Sequence, residues 1–302
     1  MHTSFKLSAY AAALAVIVAG TYALGTVVGP RADATLPAPG THDAAAPAHA
    51  GGHDPAEPAG PAGHVAALPG GLTSSQDGYT FVPDDPMPRS GTFAFRIIGP
   101  DGAPVTAFDV AHEKELHLIV VRRDTTGYRH LHPERDAAGT WRVPLTLDAG
   151  GVYRAYADFA PTAGPATTLG VDLFAPGDFR PATHAESRTS TVDGFTVALD
   201  GDLVAGAAAP LRFTVTRAGA NRDGAPVALQ PYLGADGHLV ALREGDLGYL
   251  HVHPADDPAG GGDVAFAAEV PSAGTYRLFL DFQVDGVVRT AEFTVPATGS
   301  TS

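Results

Sequence analysis

Apolar and polar residues alternate with a period of two along several short stretches of this chain. Phe93, Phe95 and Ile97 alternate with smaller or polar neighbours, as do Trp141, Val143, Leu145 and Leu147. Tyr276, Leu278, Leu280 and Phe282 form a third set. Such alternation predicts half-buried strands, each with one face on a core. Turn signals such as Gly99-Pro-Asp-Gly102 separate the strands, and 36 Gly and 26 Pro suit many short connections. Outside the N-terminal segment no stretch carries helical periodicity. The pattern predicts an all-β protein.

The pattern is also repeated. Asp77-Gly-Tyr-Thr-Phe81 opens one unit and Asp193-Gly-Phe-Thr-Val197 opens a second. Gly102-Ala-Pro-Val105 returns as Gly224-Ala-Pro-Val227, and Tyr153-Arg-Ala-Tyr-Ala-Asp158-Phe159 as Tyr276-Arg-Leu-Phe-Leu-Asp281-Phe282. Between these anchors lies the segment His117 to Pro133, with histidines at 117, 130 and 132. It recurs without a gap as His238 to Pro254, with histidines at 238, 251 and 253. Four anchors in one order imply an internal duplication. Each unit has about the length of an immunoglobulin-like sandwich. The reading is therefore two tandem sandwiches, residues 73–180 and 188–298, each expected to fold alone.

Residues 7–29 contain no charged side chain and are preceded by Lys6. They read as an N-terminal hydrophobic helix, either a membrane anchor or a signal peptide within 1–29, and both place the remainder outside the cytoplasm. Residues 30–72 are rich in Ala, Pro, Gly and scattered His, and read as a disordered tether. A formal net charge of −14 excludes nucleic acid as a partner, because nothing would neutralise phosphates. The absence of cysteine excludes disulfides and thiolate sites, and two methionines exclude a thioether-rich Cu(I) site.

The histidines are the candidate chemistry. If the segments around His117 and His130 are antiparallel neighbours, one register sets His117 opposite His132 and Ile119 opposite His130. The matching register sets His238 opposite His253 and Val240 opposite His251, with the turn centred on Gly245-Asp246. Residues two apart on a strand share a face, as do directly opposed residues. Each unit then presents three imidazoles on one face, a set suited to Cu²⁺ or Zn²⁺. Asp158 and Asp281 are matched carboxylates on a later strand, able to serve as a fourth ligand or to orient a ligand. The alternative is structural histidines, bonded to backbone within an adhesion or scaffold module. His112, absent from the second unit, and His184, in the linker, read as incidental. No hydrolase elbow, phosphate loop or dinucleotide fingerprint is present, so a binding protein is expected, not an enzyme.

Leu116-His-Leu-Ile-Val-Val followed by Tyr128-x-His-x-His-Pro133 resembles a family of secreted or membrane-anchored bacterial β-sandwich proteins suspected of handling heavy metals. More loosely, the sandwich is similar to copper-resistance proteins of the CopC type and to YtkA-like domains. The resemblance covers both units and not the tether. It implies extracytoplasmic metal sequestration or delivery, with a metal-transport partner. The methionine-rich segments of some copper-resistance proteins are missing here, which argues against Cu(I).

Overall fold

A computed structural model describes residues 69–88, 90–219, 227–254 and 262–299, with only the backbone of Ser90, His251 and His253. The expected hydrophobic helix and nearly all of the tether lie outside the described residues. The described chain is all-β and folds as two sandwiches. In the first, β1 (Ser75–Gln76), β2 (Tyr79–Pro83), β3 (Ser90–Ile98), β4 (Phe108–Asp109) and β5 (Leu116–Arg122) are followed by β6 (Arg129–Leu131), β7 (Glu134–Arg135), β8 (Thr140–Thr146), β9 (Gly151–Pro161) and β10 (Thr167–Ala175). One sheet has the order β1-β2-β3-β8-β7; the other has β10-β9-β5-β6, with β4 also on β9.

The second sandwich repeats this plan. Its strands are β11 (Thr189–Val192), β12 (Phe195–Asp200), β13 (Leu203–Val204), β14 (Ala208–Arg217) and β15 (His238–Arg243), then β16 (Tyr249–His251), β17 (His253–Pro254), β18 (Asp263–Glu269), β19 (Gly274–Val284) and β20 (Val287–Thr298). The sheets run β11-β12-β14-β18-β17 and β13-β20-β19-β15-β16. In both units the chain leaves one sheet after the short strand β6 or β16 and enters the other at β7 or β17. The His-x-His-Pro segment spans that crossing, where a proline with no N–H to donate fits the end of a ladder.

Each sandwich has its own core. Phe81, Phe93, Phe95, Ile97, Trp141 and Leu145 meet Leu118, Val120, Ala155 and Leu169 in the first. Phe213, Phe266, Leu239, Leu278, Leu280 and Phe293 fill the second. A third cluster lies between them, formed by Ile119, Val121, Tyr128 and Tyr156 of the first unit and Val240, Leu242, Leu247, Tyr249 and Phe279 of the second. Here the structure departs from the expectation of half-buried strands. Leu116–Arg122 is buried at every position, and so is most of β19. Leu116, Leu118 and Val120 face their own core, while Ile119 and Val121 face the other sandwich.

The interface has an approximate twofold logic. Tyr128 stacks on Phe279, with centroids 4.1 Å apart and planes at 5°. Its counterpart Tyr249 packs on Tyr156, the counterpart of Phe279, at 5.4 Å. Tyr156 Oη also donates to the Leu247 carbonyl at 2.6 Å. The segment before β1 helps to close the joint. Tyr249 N donates to Gly70 O, Gly71 N to Thr168 O, and Arg154 Nη2 to Gly71 O at 2.6 Å. Gly70 and Gly71, assigned to the tether by composition, are thus tied to both sandwiches. Gly71 has φ of 71°, and a Cβ there would lie 2.3 Å from the Tyr156 ring. Only glycine fits that approach.

Candidate metal centre at the sandwich interface

Strand parity builds the site. His117 shares the outward face of β5 with Ile119 and Val121, the face turned to the second sandwich. The ladder pairs Ile119 with His130 and Leu118 with Leu131, the register expected from the spacing. His132 follows β6 at the sheet crossing. One ring nitrogen from each of His117, His130 and His132 lies within 4.8 Å of the others. The His117 and His132 centroids are 5.2 Å apart, and those of His130 and His132 are 4.8 Å apart.

The hydrogen bonds fix which nitrogens are available. His117 Nε2 is 3.0 Å from the Ala111 carbonyl, which can only accept, so this nitrogen carries the proton. His130 Nδ1 is 2.7 Å from Asp281 Oδ2 and donates to that carboxylate. The remaining nitrogens, His117 Nδ1 and His130 Nε2, face each other at 3.1 Å. In neutral rings both are lone pairs, which repel unless a proton or a cation lies between them. His132 Nε2 is buried without a hydrogen-bond partner among the described residues. Burial lowers the pKa of His117 from 6.5 to about 4 and that of His132 to about 3, with the neighbouring imidazoles adding to the effect. Both rings are therefore neutral at pH 7, the form that ligates metals.

The carboxylates lie on the same interface faces, a point that sequence spacing left open. Asp158 pairs with His117 across β9 and β5, and Asp281 with His238 across β19 and β15. Asp281 is not assembled with the histidines of its own unit alone; it bonds His130 of the other sandwich. Asp158 accepts from Thr168 Oγ1 at 2.8 Å and from Tyr249 Oη, again of the other sandwich, at 3.4 Å.

In the second unit His238 Nε2 donates to Tyr232 O at 2.7 Å, as His117 does to Ala111 O. Burial lowers its pKa as well. The register pairs Val240 with His251, as expected, but His253 pairs with Ala267 of the other sheet and not with His238, because the chain crosses between the sheets after β16. The expected turn centre is right but the loop is wider than two residues, because β15 ends at Arg243 and β16 starts at Tyr249. The side chains of His251 and His253 lie outside what the structure describes.

His112, read as incidental, belongs to the cluster. Its ring is 5.1 Å from that of His238 and 6.1 Å from that of His117. It rides on a tight turn with φ of 48°, a conformation histidine tolerates better than most residues. No repeated motif could have revealed it. Tyr232, 5.6 Å from His238 and 6.2 Å from His132 by ring centroids, was also missed. A cavity of about 30 Å³, ample for one water-sized sphere, is lined in part by His112, His117, His130, His238 and Asp158. A larger cleft of about 410 Å³ borders His112, Lys114, Glu115, His117 and Asp158. His184 remains in the linker, bonded to the Asp124 carbonyl at 2.9 Å.

Residues 74–175 and 190–299 each match a domain of unknown function, DUF8832. The chain belongs to that family. Its two copies coincide with the two sandwiches, and the family description assigns no activity. No curated protein matches the chain. Among solved structures, invasin, a bacterial integrin-binding protein, is 15% identical over 74% of this chain and 39% of its own, with a TM-score of 0.24. This chain thus corresponds to less than half of invasin. Titin Ig tandem domains A164-A165 are 10% identical over 71% of this chain and 91% of theirs, TM-score 0.20. Domains 5-6 of the S-layer protein SbsC are 13% identical over 74% and 98%, TM-score 0.23. Likeness this remote carries no functional argument.

Proposed function

We propose that this chain is an extracytoplasmic binding protein for a divalent transition metal, Cu²⁺ or Zn²⁺, acting in sequestration or delivery and not in catalysis. The observation that carries the reading is the opposed pair His117 Nδ1 and His130 Nε2, 3.1 Å apart, with both tautomers set by acceptors on the far side of each ring. That separation falls between the roughly 2.8 Å edge of a square-planar and the roughly 3.3 Å edge of a tetrahedral nitrogen site. His132 supplies the third nitrogen, and water or a carboxylate completes the sphere. By duplication, His238, His251 and His253 form the second site of the proposal, with Asp158 and Asp281 beside the two clusters. The resemblance to CopC-type and YtkA-like domains supports the same reading. The uncharged run at residues 7–29 supports a membrane-anchored or secreted location, and a metal-transport partner fits a delivery role.

The full chain, purified without a His tag and stripped of metal, is titrated with Cu²⁺ or Zn²⁺ by calorimetry and its metal content is measured. Replacing His130 and His132 by Ala removes about one bound ion per chain and leaves the β-sheet signal intact. The competing reading puts a shared proton between His117 and His130, in a purely structural cluster of a scaffold module. Equal metal uptake by the parent and the double variant would overturn the metal site and favour that alternative.

A further inference from the structure

The hydrogen bond from His130 to Asp281 crosses between sandwiches. His130 sits on β6 of the first unit, Asp281 on β19 of the second, and both side chains are almost fully buried, at 7% and 3% exposure. Asp281 is itself held, because Thr290 Oγ1 donates to its other oxygen at 2.5 Å. Two residues before it on the same face, Phe279 stacks on Tyr128, which lies two residues before His130. The aromatic stack and the carboxylate–imidazole bond are thus consecutive rungs of one contact between β6 and β19.

We propose that the metal centre of the first sandwich is completed by the second, with Asp281 as the positioning residue that fixes His130. This inference rests on the metal-binding reading above and concerns its control. By accepting the Nδ1–H hydrogen bond, Asp281 holds the proton on Nδ1, turns the Nε2 lone pair toward His117 and makes the ring a better donor to a metal. His117 needs no such partner from the other unit, since its tautomer is set by Ala111 of its own sandwich. Metal affinity at His117, His130 and His132 is therefore coupled to the docking of the two sandwiches, and by reciprocity a bound ion strengthens that docking. Duplication in one chain then has a chemical use: the second copy supplies the orienting carboxylate at fixed effective concentration.

The test uses the full chain with His251→Ala and His253→Ala, so that the first cluster reports alone. In that background Asp281→Asn weakens Cu²⁺ or Zn²⁺ binding about 10- to 100-fold. Thr290→Ala, which loosens Asp281 without changing charge, produces a smaller loss in the same direction and serves if Asp281→Asn fails to fold. Imidazole ¹⁵N shifts of the metal-free protein give a readout that a packing role would not move. They place the His130 proton on Nδ1 in the parent and on both nitrogens in Asp281→Asn. Unchanged affinity in a folded Asp281→Asn protein, or a proton on Nε2 of His130 in the parent, overturns the inference. A parent with no metal uptake at these histidines overturns the proposed function as well, a result separable from loss of the coupling alone.

Discussion

Phe279→Ala is expected to uncouple the sandwiches. Phe279 is completely buried and belongs to the cluster between the units, not to either sandwich core. Truncating such a ring costs about 3–5 kcal/mol from lost transfer energy and the cavity left behind. The parallel stack on Tyr128, at 4.1 Å, adds to that side of the balance roughly 0.5–1.5 kcal/mol. The Arg277 guanidinium, 5.3 Å from the Phe279 ring centre, loses its aromatic neighbour too. A total of about 5 kcal/mol is a large part of the roughly 5–15 kcal/mol that holds a domain folded. Because the loss falls at the joint, the parent is expected to unfold in one urea transition and Phe279→Ala in two, followed by tryptophan fluorescence and far-ultraviolet circular dichroism. Trp141, the one tryptophan, reports only the first sandwich. Val288→Ala, at a position 39% exposed, is the control and should change stability by less than about 0.5 kcal/mol. A Phe279→Ala protein that loses less than about 1 kcal/mol and keeps one transition would refute a shared, stabilising interface.

Two further outcomes follow from buried polar groups. Tyr128 Oη is buried without a hydrogen-bond partner among the described residues, so Tyr128→Phe should be neutral or stabilising by up to about 1 kcal/mol; Tyr156→Phe, which strands the Leu247 carbonyl, should cost about 1–2 kcal/mol in the same urea assay. Acid should destabilise the metal-free protein through His117 and His132, whose folded pKa values of about 4 and about 3 lie below the ordinary 6.5. The unfolded chain then binds protons that the folded one refuses, so this contribution is complete above pH 6.5 and declines as pH falls toward 4 and 3. In denaturation midpoints from pH 7.5 to 4, His117→Ala with His132→Ala should flatten the slope relative to the parent, and identical slopes would count against neutral buried rings.

Much of the fold was legible because sandwich strands announce themselves locally. Trp141, Val143 and Leu145 face the core while Arg142, Pro144 and Thr146 are exposed, so period two read correctly for β8. The same reading failed on β19, where Tyr276, Leu278 and Leu280 face the core but Arg277, Phe279 and Asp281 are buried against the other sandwich. Alternation reports the contrast between two faces, and a second apolar partner removes that contrast. The run Leu116-His-Leu-Ile-Val-Val carries the signal that was available, since strands covered on both faces tend toward continuous apolar stretches. The isolated units would expose Ile119, Val121 and Tyr156, or Val240, Leu242 and Phe279, apolar faces that the other sandwich covers in the whole chain.

The site divides along the same line. Within one hairpin, strand pairing is a local constraint, and the spacing of His117, His130 and His132 was enough to place three rings together. Nothing local places Asp281 against His130, or His112 beside His238, because those contacts join residues from different sandwiches. The duplicated sequence shows that both units carry a histidine triad and a carboxylate; it does not show which carboxylate serves which triad. The pseudo-twofold packing decides. Two copies meeting face to face bring each hairpin against the other's β9 or β19 strand, so Tyr128 meets Phe279 and Tyr249 meets Tyr156. Asp281, two residues beyond Phe279, then reaches His130, two residues beyond Tyr128. The bond from His130 to Asp281 is therefore a consequence of how the joint is packed, and it ties the first cluster to the apolar contact that holds the sandwiches together.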